Sequence, residues 1–427
     1  MEIHVVRAGE TLYTIAQSYS VDETILREAN GVPPGGALAV GQTLVIQHPQ
    51  TLHIVQPGQN LFGIARLYNL TLRQLYRNNY FLHGLPGLRE GQVLVIAWAD
   101  SPEGEIDTNG YAYPFISRRE LSSTLPYMSY LTPFTYGIDA QGSLLPLEDG
   151  MLLEEAGRLG AAPMMHLSSL TEDDNFSSER AVWVLTRPEL QAALIEQILS
   201  TIRAKGYRGL DVDFEYIPPA QREDYTAFIQ ALRDRLAPLG LPVVVALAPK
   251  TYAAQPGLLY EAHDYAALGA AADYLLLMTY EWGYAYSEPM AVAPIPNVRK
   301  VVEYALTEIP ARKLYLGIPN YGYDWPLPYE KGKTRARSIS NQEAVELAVA
   351  HRAEIQYDET AQSPYFQYTA PDGAAHEVWF EDARSMAVKL RLIKEYGLYG
   401  AGYWNLMRPY PQGWTLLNAI YDIRRER

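Results

Sequence analysis

The chain of 427 residues contains no cysteine, so disulfides, zinc-thiolate sites and a cysteine nucleophile are excluded together. It lacks any apolar run long enough to span a bilayer, so no membrane insertion is expected. The first residues, Met-Glu-Ile-His-Val-Val-Arg, offer no basic stretch leading into an apolar core, and no secretory signal is expected. Positive charge is scarce: 35 Lys and Arg stand against 49 Asp and Glu, a formal net charge of −14. That balance argues against a nucleic-acid partner, which would need a basic stripe, and against adhesion to an anionic membrane. No acidic cluster has loop-type metal spacing. His166, His263, His351 and His376 share no ligand spacing either, so no metal and no cofactor is expected.

What the chain has in quantity is tyrosine, 33 residues, with 7 tryptophans. Flat rings that carry a polar handle suit carbohydrate surfaces. The length predicts two or three domains.

The densest chemistry lies in Gly209-Leu-Asp-Val-Asp-Phe-Glu-Tyr-Ile217, where Asp211, Asp213 and Glu215 alternate with Val212 and Phe214. On a strand this alternation sends the three carboxyls to one face. A solvated face of an antiparallel sheet or a divalent-metal site would also use such acids. The segment 222–239 follows at once, with Tyr225, Phe228, Ile229, Leu232 and Leu236 at helical spacing. A strand followed by an amphipathic helix is a β/α unit, whose inner strands have no solvated face to spare. Crowded carboxyls raise one another's pKa, and an acid kept protonated near neutrality is what a glycosidase needs to protonate a leaving oxygen.

Residues 3–47 repeat as 52–97. His4-Val-Val-Arg-Ala-Gly-Glu-Thr-Leu-Tyr-Thr-Ile-Ala16 answers His53-Ile-Val-Gln-Pro-Gly-Gln-Asn-Leu-Phe-Gly-Ile-Ala65, and Gly41-Gln-Thr-Leu-Val-Ile46 answers Gly91-Gln-Val-Leu-Val-Ile96. Each copy reads as a short strand, a turn at Gly9 or Gly58, a helix capped by Glu10-Thr11 or Gln59-Asn60, a second helix and a closing strand. A βααβ unit this small buries a modest core, so it suits binding better than catalysis. The pattern resembles the LysM module, which binds polymers containing N-acetylglucosamine. The resemblance implicates Gly9, Glu10, Thr11, Leu12, Asn30 and Gly31 in the first copy, and Gly58, Gln59, Asn60, Leu61 and Asn79 in the second.

After a polar linker at 100–105, strand-like runs at 109–114, 127–138, 162–167, 209–217, 243–248, 274–280, 314–319 and 401–406 alternate with helical ones. Eight such units predict an α/β fold, a (β/α)₈ TIM barrel, with a doubly wound open sheet as the alternative. The expected domains are 1–48, 51–98 and 104–427. An α+β insertion at 335–384, between strands seven and eight, would carry a helix near 342–352 and a hairpin around 365–373.

This larger region resembles a family 18 glycoside hydrolase, the chitinase family. Gly209, Asp211, Asp213 and Glu215 match its fourth-strand motif, Met278-Thr-Tyr280-Glu281 its sixth-strand end and Trp404 its eighth. Arg208, Phe214 and His166-Leu-Ser-Ser169 depart from the pattern. Tyr280-Glu-Trp-Gly283, Leu316-Gly-Ile-Pro-Asn-Tyr-Gly-Tyr-Asp-Trp325 and Glu377-Val-Trp-Phe-Glu-Asp-Ala-Arg-Ser385 look like the subgroup of LysM-bearing spore N-acetylglucosaminidases that lyse cortical fragments.

The resemblance implies a retaining, substrate-assisted mechanism. Glu215 would be the acid and base, Asp213 would orient the 2-acetamido group, Asp211 would share a proton with Asp213, and Tyr280 would bond the acetamide carbonyl. Trp404 would floor the sugar ring, with Glu281, Met278, Asn320, Tyr321, Trp325, Glu381 and Asp382 as further substrate contacts. The expected partner is peptidoglycan or another N-acetylglucosamine-containing glycan, and the expected state a monomer. The expected setting is the coat or cortex of a spore, after synthesis in the cytoplasm of a spore-forming bacterium. A chitinase and a non-catalytic sugar-binding coat protein are the alternatives.

Overall fold

The computed structural model describes residues 1–171, 173 and 175–424. Each repeat unit pairs two antiparallel strands, Glu2–Val5 with Thr43–Ile46 and Pro49–Ile54 with Val93–Trp98. Between them lie Leu12–Tyr19 and Glu23–Ala29 in the first unit, Leu61–Leu67 and Leu72–Asn78 in the second. Thr11, Asp22, Asn60 and Thr71 cap these helices, each accepting from an otherwise unpaired first-turn N–H.

Eight parallel strands form the barrel expected from the sequence: Gly104–Ala112, Tyr130–Pro133, Met165–Ser168, Leu210–Asp213, Val243–Leu247, Tyr274–Leu277, Leu314–Pro319 and Gly400–Trp404. The ring closes through the third strand, which is interrupted at Met164. Its leading segment Ala162–Pro163 pairs with the second strand, and Met165–Ser168 pairs with the fourth. Helices such as Pro188–Lys205 and Arg222–Leu236 bury their apolar stripes on the outside of the ring. Tyr225, Phe228, Ile229, Leu232 and Leu236 are all buried, and Phe214 stacks on Tyr225 and Phe228.

A five-stranded antiparallel sheet stands between the seventh and eighth barrel strands, in the order Arg337–Ile339, Gly322–Leu327, Ala375–Trp379, Ser363–Thr369, Gln356–Asp358. Its second strand begins directly after the seventh barrel strand, upstream of where the sequence placed the insertion. Helix Asn341–His351 covers this sheet.

The two small units are fastened to the barrel rather than hung from it. Residues 100–105 are not a free linker: strand Gly104–Ala112 has already begun, and the Glu103 N–H donates to Ile420 O at 2.7 Å. The second unit shares one continuous hydrophobic core with the barrel, including Leu61, Ile64, Leu75, Leu94 and Ile96. Its Arg73 donates to Pro126 O and Gly160 O at 2.7 and 2.9 Å. Those carbonyls precede the second and third strands, so this unit sits at the amino end of the barrel.

The first unit keeps a separate core of nine residues. It docks through Gln412, whose Nε2 donates to Thr43 O at 2.6 Å, and through the Ile355 N–H, which donates to Val40 O at 2.8 Å. Contact is close enough to require glycine in both units: a Cβ on Gly41 of the first would lie 1.8 Å from Ile355 O, and one on Gly84 of the second 2.2 Å from Ser122 O.

Candidate active site

The carboxyl ends of the barrel strands enclose a cleft of about 760 Å³. Asp213, Glu215, Met278, Tyr280, Glu281 and Trp404 line it, and Tyr113, Phe115, Phe134 and Phe176 give it aromatic walls. The fourth strand ends at Asp213, so Glu215 stands beyond the ladder, at the mouth. This is the end at which barrel enzymes assemble their sites, because loops there can vary without disturbing the packed ring.

The acids are arranged in depth. Asp211 is fully buried, and its Oδ2 accepts the Tyr111 hydroxyl at 2.5 Å. Burial raises its pKa to about 7, partly opposed by that hydrogen bond. Asp213 is also buried; desolvation first, then the charges of Glu215 and Asp211, push it well above the usual carboxylate range. Oδ1 of each lacks a hydrogen-bond partner among the described residues.

His166 Nε2 lies 4.0 Å from Asp213 Oδ2, but burial lowers its pKa to about 3, so the ring is neutral and supplies no counter-charge. Its Nδ1 meets the Thr135 hydroxyl at 2.6 Å. Glu215 is raised to about 7 by burial and then by the nearby Glu281. Glu281 is raised by burial and stabilised as an anion by the Tyr321 and Tyr323 hydroxyls at 2.5 and 3.0 Å. The site thus holds one acid at the mouth of the cleft, raised to about 7, backed by a deeper pair in which burial likewise favours the protonated form. Among the described residues no group of three or more His, Asp or Glu is arranged to hold a metal ion.

Trp404 is wedged among Tyr111, Tyr113 and Phe134, with ring centroids 5.7, 6.1 and 4.9 Å away. Other predicted contacts lie outside the cleft. Trp325 is fully buried, and its indole N–H donates to Ser287 O at 2.8 Å. Glu381 forms a buried pair with Lys389 at 2.8 Å, and Asp382 caps helix Ala383–Tyr396. Asn320 is buried and donates to the carbonyls of Asn405 and Arg408 at 3.0 and 3.1 Å, pinning the loop after the eighth strand. Tyr321 reaches the cleft through Glu281. Sequence reasoning missed Tyr111, Phe134, Thr135 and Arg408, which no local motif marks.

In the small units the turn residues are largely held by their own hydrogen bonds. Glu10 accepts from the Arg7 N–H at 2.7 Å and meets His4 Nε2 at 2.8 Å; Gln59 repeats this with Gln56 and His53 at 2.8 and 2.7 Å. Thr11 and Asn60 are helix caps, while Leu12 and Leu61 are core residues. Asn30 and Asn79 are buried, and their side chains clasp the backbone of Val45 and Val95. Gly31 packs on Pro411. Gly9 and Gly58, at positive φ, face open space. The first helix of each unit also exposes an equivalent aromatic that the sequence reading did not select, Tyr13 at 59% and Phe62 at 66% exposure.

The LysM domain matches residues 4–47 and 53–97. The cortical fragment-lytic enzyme of Bacillus subtilis is 40% identical over 433 residues, covering 99% of each chain. The crystal structure of the Bacillus megaterium spore cortex-lytic enzyme superimposes with a TM-score of 0.84 at 35% identity, covering 100% of this chain and 99% of that one. A chitinase from Chromobacterium violaceum covers 74% of this chain and 98% of its own, with a TM-score of 0.67 at 27% identity. Residues 169–408 match glycosyl hydrolases family 18, and with an acid raised to about 7 at the mouth of a closed β/α ring, the chain belongs to that family, carrying two LysM domains ahead of its barrel.

Proposed function

We propose that the protein hydrolyses the glycan of spore-cortex peptidoglycan, cleaving after N-acetylglucosamine with retention of configuration. The observation that carries this reading is Glu215: a carboxyl raised to about 7, in the same cleft as Asp213, Tyr280 and Trp404. Its whole-length relatives that lyse cortex or its fragments support the substrate.

In this mechanism an N-acetylglucosamine ring rests on Trp404, and Glu215 gives its proton to the glycosidic oxygen as the bond to C1 breaks. The carbonyl oxygen of the sugar's own 2-acetamido group attacks C1 from the other face and forms a cyclic oxazolinium. Asp213 accepts the acetamide N–H through its unprotonated oxygen, and the cation that develops beside it favours its ionisation, so that its negative charge offsets the oxazolinium. Tyr280 donates to the acetamide oxygen and orients it. Glu215, now a carboxylate, takes a proton from water, and that water attacks C1 and reopens the ring. General acid–base action of this kind is worth about 10²–10⁴ in rate.

The two LysM modules hold the barrel on the glycan through the exposed turns at Gly9 and Gly58, raising local substrate concentration. The protein acts in the spore.

Wild-type protein and Glu215→Gln are incubated with cortex fragments and chitin oligomers, and products are read by mass spectrometry. Fragments ending in N-acetylglucosamine, released by wild type only, are expected. Release by both proteins would remove Glu215 from the role of acid, and activity confined to chitin would replace the cortex reading with a chitinase.

A further inference from the structure

Beside the cleft lies a polar recess of about 110 Å³, bounded by Ser338, Asn405 and Arg408 among others. Glu281 and Trp404 line both spaces, so the recess opens beside the floor on which the sugar rests. Among the described residues lining the two spaces, Arg408 is the only cation. The acids near it are engaged elsewhere: Glu281 is bonded by Tyr321 and Tyr323, and Glu343, whose charge also reaches Arg408, pairs with Arg337 at 2.5 Å.

The position of Arg408 is built rather than incidental. Asn320, buried at the end of the seventh strand, holds the Arg408 and Asn405 carbonyls. Asn341 Nδ2 meets Asn320 Oδ1 at 3.5 Å. The guanidinium crosses to the insertion sheet, where Nη2 donates to Ser338 O at 3.2 Å. Among the described residues Nη1 has no acceptor. A guanidinium carries five N–H donors in a planar fork suited to paired oxygens, and donors left unmet in a partly desolvated place are costly. The arrangement calls for an oxygen-rich group from the substrate.

Peptidoglycan supplies one that chitin does not. Its alternate sugar carries a lactyl ether on O3, which ends in a carboxylate, a peptide amide or a lactam carbonyl; each presents an acceptor oxygen. We propose that Arg408 binds the lactyl-derived carbonyl of the muramic residue next to the N-acetylglucosamine on Trp404, and thereby selects peptidoglycan over chitin. This rests on the function proposed above and names the residue that makes the choice.

Full-length wild type, Arg408→Ala and Arg408→Lys are compared on three glycans of equal length: muramic-lactam fragments, muramic fragments with a free carboxylate, and chito-oligosaccharides. The readout is the ratio of kcat/KM on each muramic glycan to that on the chito-oligosaccharide. In Arg408→Ala this ratio falls roughly tenfold or more, as when a hydrogen-bonding site loses its partner. Arg408→Lys, which keeps the charge but not the fork, falls by less. A loss concentrated on the carboxylate glycan identifies an ion pair; an equal loss on the lactam identifies the carbonyl itself. Unchanged ratios in both variants, with thermal unfolding as in wild type, overturn the proposal and leave Arg408 a strut to Ser338. If wild type cleaves no muramic glycan, the proposed function itself has failed, a result separable from a silent Arg408.

Discussion

The Tyr111 hydroxyl and the Asp211 carboxyl meet at 2.5 Å across the inside of the barrel, one from the first strand and one from the fourth. Among the described residues the other oxygen, Oδ1, has no hydrogen-bond partner. Tyr111→Phe leaves a buried carboxyl with neither oxygen satisfied, a cost of about 1–3 kcal/mol. The same hydroxyl is what lowers the Asp211 pKa against burial, so the variant holds Asp211 protonated to higher pH. A lower melting temperature together with reduced kcat/KM is expected. Wild-type values of both would show that the bond is neither structural nor catalytic.

Glu281 acts on Glu215 through charge, standing second only to burial among the causes that raise it. As an acid Glu215 works only while protonated, so activity declines as pH rises through about 7. Glu281→Gln removes the neighbouring negative charge, lowers the Glu215 pKa and moves the alkaline limb of kcat/KM to lower pH. A limb that stays in place while the rate falls would assign Glu281 to substrate binding alone.

The site was legible where the chemistry is written in a short run of residues, and illegible where closure of the ring creates it. Alternation in 209–217 sends the acids to one side, and Asp213 and Glu215 indeed share a cleft, although the strand stops before Glu215. Arg408, Tyr111 and Phe134 stand alone in the sequence and acquire meaning only when the eighth strand closes beside the first. Trp325, Glu381 and Asp382 show the converse. Their local pattern suggests a site, but which side of a crossing strand faces the cleft is decided by packing. Trp325 turns inward behind Tyr323, and Glu381 finds Lys389 eight residues on, inside the following helix. The repeat was legible because each module folds on local signals, whereas the docking of the first module on the insertion depends on contacts about 300 residues distant in sequence, such as Gln342 Nε2 to Gly31 O.

Asp211 also links the site to stability. Its folded pKa, about 7, exceeds the ordinary carboxylate value of 3.8. The folded state therefore binds more protons than the unfolded state between those values, and stability falls as pH rises through that window. Asp211→Asn removes the ionisable group while keeping an acceptor for Tyr111. The variant is expected to melt higher than wild type above pH 7, by a few degrees, and to match it near pH 4. Activity should fall in the same protein, the trade often seen where a strained polar site serves chemistry. Equal melting of both proteins at all pH values would mean that Asp211 ionises in the fold without penalty.

The docking of the first module rests on Gly41, where the chain runs at φ +82° against the insertion and a Cβ would sit 1.8 Å from Ile355 O. No backbone yields that far without breaking contact, and the neighbouring bond from the Ile355 N–H to Val40 O would go with it. Gly41→Ala also forces a residue with a Cβ into the left-handed region, a further strain of about 1–2 kcal/mol. Because this module has its own core while the second shares that of the barrel, the damage should stay local. Amide exchange is expected to accelerate across residues 1–46 and to remain slow in the barrel strands, with turnover of short soluble fragments retained and retention on insoluble cortex reduced. Acceleration that reached the barrel strands would mean that the first module and the barrel unfold as one unit, and that two cores do not imply two cooperative bodies.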